Sequence, residues 1–160
     1  MKTRRFVIVL STLAAVLVTV TNTFAQASNP RFGVWKLEST APPPSSNVMT
    51  YEPYGDDGMR ITVESTNARG QHSKWSYVTL FDGAFRPVMG QEGAETAVEI
   101  VNENTTRISN ARGGRVYQVI INTLSEDGDT ITNEYVRLDE NGDIVRVNHA
   151  IYQRVGYFDC

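Results

Sequence analysis

The chain has 160 residues, a formal net charge of −3 and a single cysteine. That length suits one ordinary domain, and the mildly acidic balance excludes the basic footprint of a nucleic-acid binder and disfavours adhesion to an anionic membrane surface. The lone Cys160 excludes an internal disulfide, so no covalent staple is expected to hold the fold.

Lys2, Arg4 and Arg5 open the chain, and an apolar run from Phe6 to Val20 follows, interrupted by Ser11, Thr12 and Thr19. Ala25-Gln26-Ala27 then offers small residues where a signal peptidase reads them. The 15-residue run is shorter than the roughly 20 residues that span a bilayer, so an export signal is expected rather than an anchor. No cysteine stands near the cleavage site to carry a lipid. Export to the periplasm or the exterior follows, with boundaries at 1–27 for the signal peptide, 28–155 for a β-barrel domain and 156–160 for a tail. Cleavage would remove three bases and no acid, taking the net charge from −3 to −6.

Beyond the signal no stretch carries a 3.6-residue apolar period. Short alternating runs recur between turn dipeptides: Asp57-Gly58, Asp82-Gly83, Gly113-Gly114, Asp127-Gly128 and Asn141-Gly142. Such pairs tolerate the positive φ of hairpin turns. About nine strands are expected, at 32–39, 48–53, 59–65, 72–81, 96–101, 105–111, 115–124, 130–138 and 144–154. Ala41 to Asn47 holds three prolines, Pro42, Pro43 and Pro44, which cannot donate to a ladder, so it reads as an extended connection after the first strand. Residues 83–95 form the longest irregular piece. The class is therefore all-β: a single up-and-down antiparallel meander of eight to ten strands, closing into a barrel.

Turn positions also predict register. A reversal at Asn141-Gly142 sets Leu138 against Val145, Val136 against Val147, Glu134 against His149 and Thr132 against Ile151. One at Asp127-Gly128 sets Val119 against Val136 and Ile121 against Glu134. One face then gathers Tyr117, Val119, Ile121, Val136, Leu138, Val145, Val147 and Ile151, and the other gathers Gln118, Asn122, Asn133, Arg137, Arg146 and Asn148. The apolar set is expected to face the core. Trp35, Leu37, Met59, Ile61, Val63, Trp75, Tyr77, Phe81, Val98, Ile100 and Ile108 are expected to point inward elsewhere.

Gly33-Val34-Trp35 on the first strand resembles the Gly-x-Trp of the lipocalins and their calycin relatives. In that group the tryptophan lies inside one end of the barrel beneath a basic residue from the last strand, and Arg154 is the matching position. The resemblance implies a lipocalin-like barrel with a small-molecule ligand inside, and structural roles for Gly33, Trp35 and Arg154. Two departures are visible: no helix follows the barrel or the first strand, and Ala150 stands two residues before Tyr152, where fatty-acid-binding relatives carry an arginine.

The chemistry on offer is spare. His72 and His149 have no cysteine partner and no short spacing, so no zinc site is expected. The Asp139–Asp143 run starts like a calcium loop but places Ala150 where that loop needs glutamate. No cofactor, metal or catalytic set is indicated. Glu134 and His149, opposite one another on the face read as core, could grip a polar ligand group, orient the imidazole for acid–base work, or form a satisfied structural pair. Trp75, Tyr77 and Tyr117, with Trp35 and Tyr51, could line a cavity or fill a small barrel. The leading expectation is a secreted protein binding a small, partly apolar molecule through Glu134, His149, Trp75, Tyr77 and Tyr117, with no nucleic-acid partner and no stable membrane insertion. An isomerase or cyclase using His149, and an envelope module with a filled core, are the alternatives.

Overall fold

The computed structural model describes residues 29–157; the expected export segment and Cys160 lie outside the described residues. Ten strands run in chain order: β1 (Gly33–Leu37), β2 (Ser46–Tyr54), β3 (Gly58–Thr66), β4 (His72–Thr79), β5 (Arg86–Pro87), β6 (Ala94–Asn102), β7 (Thr105–Arg112), β8 (Arg115–Leu124), β9 (Thr130–Leu138) and β10 (Ile144–Gly156). No helix occurs among the described residues. Nine of these are the strands expected from the alternation, and the short β5 lies within the segment read as irregular.

All pairings are antiparallel, in the order β4-β3-β2-β1-β10-β9-β8-β7-β6-β5. Two meanders are thus joined side by side where β1 pairs with β10. The two ends of the sheet meet at Ser76 and Met89, whose backbones exchange hydrogen bonds of 3.0 and 2.8 Å. The result is a nearly closed barrel, which leaves few unpaired strand edges.

Trp35 anchors the first strand of the barrel. Its side chain is 0% exposed at one end of the barrel, and its indole nitrogen donates to the Arg31 carbonyl at 3.0 Å. The Arg154 guanidinium lies 4.1 Å from the indole centroid and donates to the carbonyls of Phe32, Pro30 and Gly128. Gly33 has φ +146°, and a Cβ there would stand 2.6 Å from the Gly156 carbonyl oxygen and 2.7 Å from Arg154 Nη1. Only glycine admits so close an approach of the last strand. Arg31 is buried at this same sealed end and donates to the carbonyls of Asn104 and Asn122.

The turns set the register as expected. Gly113 and Gly114 both have positive φ and place Arg112 opposite Arg115. Val119 pairs with Val136, and Val136 with Val147; Glu134 pairs with His149. Val145 falls in a bulge, so Leu138 faces Ile144 instead of Val145.

The face, however, is reversed in β8, β9 and β10. The interior takes Ile120, Asn122, Leu124, Ile131, Asn133 and Tyr152, whereas Val147 is 43% exposed and Val145 and Ile151 are also on the outside. A register fixes which residues oppose one another but not which side turns inward. Here ring closure decides it: β10 enters the barrel beside β1 with Tyr152 opposite Leu37 and Arg154 opposite Trp35, so Ala150, Tyr152 and Arg154 are the inward positions of β10. The β-branched residues on the outer face suit the pleated sheet without being core. In β1, β3, β4 and β7 the inward set is as expected, but Ile100, beside the irregularity of β6 between Ile100 and Asn102, is exposed.

Candidate functional site

The inward positions of the strands do not meet at the centre. They enclose a cavity of about 290 Å³ between the sealed Trp35 end and the opposite mouth. The alternation of period two brings this about: Ile61 and Val63 from β3 and Trp75 and Tyr77 from β4 form one wall, with Met49 and Tyr51 from β2. Trp75 and Tyr77 stack with ring planes 15° apart and centroids separated by 6.1 Å. The facing wall is different in kind, built from Asn110, Gln118, Asn133, Tyr135 and Tyr152.

That second wall is a hydrogen-bonded relay. Asn122 Nδ2 donates to Asn133 Oδ1 at 2.7 Å, and Asn133 Nδ2 donates to the Tyr135 hydroxyl at 3.1 Å. The Tyr135 and Tyr152 hydroxyls are 3.3 Å apart, and Tyr152 donates onward to Asn47 Oδ1 at 3.3 Å. A shorter chain runs from the Thr96 hydroxyl to Asn110 Oδ1 (2.8 Å) and from Asn110 Nδ2 to Gln118 Oε1 (3.0 Å). Buried amides are costly unless paired, and these pairings fix the amide orientations. Among the described residues the Gln118 amide nitrogen and the hydroxyls of Tyr77 and Tyr117 make no hydrogen bond, although all three residues line the cavity.

Among the described residues no Asp, Glu, Lys, Arg or His lines this space. Burial pushes the phenols of Tyr51, Tyr77 and Tyr152 well above their ordinary range, so they stay neutral and can both donate and accept. For Tyr51 the nearby Arg31 partly opposes the rise. Stability should therefore respond to alkali. Above the ordinary phenol value near pH 10 the unfolded chain releases protons that the barrel retains, so stability falls as pH rises, by up to about 1.4 kcal/mol per pH unit for each such tyrosine. Below that value these groups contribute no pH dependence. Urea unfolding at pH 8 and pH 11 checks this, and equal midpoints would contradict it.

Each expected site residue has a definite place. Trp75, Tyr77 and Tyr117 line the cavity. Tyr117 arrives there by a bulge: β7 pairs Asn110 with Gln118 and Ala111 with Val116, leaving Tyr117 as an extra residue beside the inward Gln118. Glu134 and His149 are not in the cavity. His149 Nε2 and Glu134 Oε2 are 3.0 Å apart as the register required, but their side chains are 63% and 45% exposed on the outer face. The pairing was legible and the side was not, because the interior of β8–β10 is polar and its exterior apolar. An enzyme reading built on His149 inside the barrel loses its base, and a filled core is excluded by the cavity itself. Asn133, Tyr135, Tyr152 and Gln118 escaped notice because amides and phenols at alternate positions look like a solvent face. The parity of Leu124, Ile131 and Tyr152 was the available signal.

No protein-family model matches the chain, and no curated protein matches it in sequence. Its shape does have counterparts among solved structures. The wild-type fluorescent protein UnaG superposes with a TM-score of 0.53 at 13% identity, covering 78% of this chain and 96% of that one. A fatty-acid-binding protein of Schistosoma mansoni, in complex with arachidonic acid, gives 0.53 at 14% identity, covering 79% of this chain and 96% of that one. At such identities the likeness is one of fold: this chain forms a calycin-like β-barrel.

Proposed function

We propose that the protein is an exported carrier or receptor of a small, partly apolar molecule, held inside the barrel. The observation that carries this reading is the two-sided, uncharged cavity of about 290 Å³. Typical ligand pockets combine apolar area with a few placed polar groups. The stacked Trp75 and Tyr77 would cover an aromatic or aliphatic body. Gln118, Tyr77 and Tyr117 would supply the hydrogen bonds they do not make internally. An ionised group buried there would meet no countercharge, so the enclosed part of the ligand is neutral. The arachidonic-acid complex of the Schistosoma mansoni protein supports an apolar cargo for this architecture. The carboxylate-holding arginine two residues before the last-strand tyrosine is Ala150 here, which argues against holding a carboxylate at that interior position. Export rests on the N-terminal basic and apolar run with its Ala-x-Ala site.

Tryptophan emission tests the site. Trp75 lines the cavity and Trp35 is sealed beyond it, so a neutral apolar probe such as N-phenylnaphthylamine should quench Trp75 alone. Quenching is expected to disappear in Trp75→Phe, and probe binding to weaken at least tenfold in Gln118→Trp, which fills the cavity from its mouth. Undiminished probe binding in Gln118→Trp would overturn the assignment.

A further inference from the structure

The mouth of the barrel carries a second feature. Arg112, Arg115, Arg137 and Tyr117 enclose a surface pocket of about 420 Å³, and no other of the described residues lines it. The sequence placed these cations against ordinary preference. The Gly113-Gly114 turn sets Arg112 opposite Arg115, and Arg137 stands opposite Arg146 on β10. Like charges directly across a strand pair are destabilising. The chain's overall charge is negative, yet among the described residues only Glu140 pairs with any of the three. Glu140 approaches Arg115 only at 3.6 Å, with 88% of its side chain exposed. Asp139, on the neighbouring turn, accepts the backbone N–H groups of Asn141 and Asp143. Arg112 and Arg137 form no ion pair among the described residues. The Arg137 guanidinium instead lies 5.4 Å from the Tyr117 ring centroid.

Tyr117 is what joins the two spaces, because it lines both this pocket and the interior cavity. We propose that Arg112, Arg115 and Arg137, with Tyr117 between them and the cavity, hold the anionic end of an amphiphilic ligand whose uncharged body occupies the interior. This rests on the cavity being the ligand site. The occupant is a molecule with one carboxylate, sulfate or phosphate group on an apolar or aromatic body, entering body first. The division follows from solvation: a charge is costly in the uncharged interior but keeps much of its water at the mouth, where guanidinium forks match an oxyanion. The arrangement also accounts for the absence of any cation in the cavity wall.

Two dyes with the same rings separate this from the cavity reading: anilinonaphthalene sulfonate, which is anionic, and N-phenylnaphthylamine, which is neutral. The measured quantity is the ratio of their affinities for the full chain. In the triple variant Arg112→Gln/Arg115→Gln/Arg137→Gln the ratio is expected to shift about tenfold against the sulfonate, about 1.4 kcal/mol. The neutral dye should stay within about twofold. Raising ionic strength should weaken the sulfonate and spare the neutral dye in the parent, and should do neither in the triple variant. These side chains are exposed, so the variant should keep its strand content by circular dichroism. An unchanged ratio with the neutral dye still bound in a Gln118-dependent way overturns the arginine site and leaves the cavity standing. Loss of Gln118 dependence for both dyes overturns the cavity reading and this proposal together.

Discussion

Arg154→Met is expected to destabilise the barrel by about 3–5 kcal/mol, lowering its melting temperature by roughly 10–20 °C. The Arg154 side chain is only 5% exposed and ties together three separate pieces of chain. Its guanidinium donates to Pro30 and Phe32 before β1 and to Gly128 in the β8–β9 turn. It is sandwiched between Trp35, at 4.1 Å from the ring centroid, and Tyr157, at 4.5 Å. Asp129 stands 3.5 Å from its Nε. Methionine keeps most of the apolar volume but returns no hydrogen bond, leaving three carbonyl acceptors unpaired near the sealed end. Unpaired buried acceptors cost about 1–3 kcal/mol each, less where water reaches them. Urea unfolding of parent and variant measures the difference. A loss below about 1 kcal/mol would mean that the Trp35 end does not depend on this bridge.

The second large effect is expected from Asn133→Asp. The exchange is almost isosteric, so it probes charge rather than shape. Asn133 is buried on the polar wall, accepts from Asn122 and donates to Tyr135. A carboxyl group there keeps the first bond and has no cation facing it in the cavity. Burial raises its folded pKa above the unfolded value near 3.9, by an expected two units or so, equivalent to about 2–3 kcal/mol. The sign follows from proton counts. Above the unfolded value the unfolded chain ionises first, so the variant loses stability relative to the parent until the folded pKa is passed. Below it the two should be nearly equal. Stability differences measured at pH 4 and pH 8 therefore should diverge, the larger loss being at pH 8. A pH-independent difference would show that the cavity tolerates charge, and the neutral-ligand reading would fail with it.

The legibility of this chain was uneven for a physical reason. Turn residues report register directly: Gly113-Gly114 and the reversals near Asp127-Gly128 and Asn141-Gly142 placed Val119, Val136 and Val147 in one row, as the pairing confirms. The Trp35–Arg154 contact was also accessible, since the Gly-x-Trp strand and a basic last strand imply it. The choice of face was not. Hydrophobicity points inward only when the interior is dry, and here β8–β10 carry Asn122, Asn133, Tyr135 and Gln118 on the inside. Val147 and Ile151 therefore drew the inference to the wrong side, and Glu134 and His149 went with them. Tyr117 came into the cavity against its parity, through a bulge that no turn signal announces. The mouth arginines were visible as residues, but their convergence needed the closed ring.

The barrel now presents two apolar surfaces to a small molecule: the cavity, and the outer row of Val119, Val136, Val147 and Ile151. Intermolecular nuclear Overhauser effects between bound N-phenylnaphthylamine and the isotope-labelled protein distinguish them. The account predicts contacts from the probe to Trp75, Tyr77, Ile108 and Ile120, all of which line the cavity. Contacts confined to Val119, Val147 and Ile151 would place the ligand on the outer face and contradict an internal binding site.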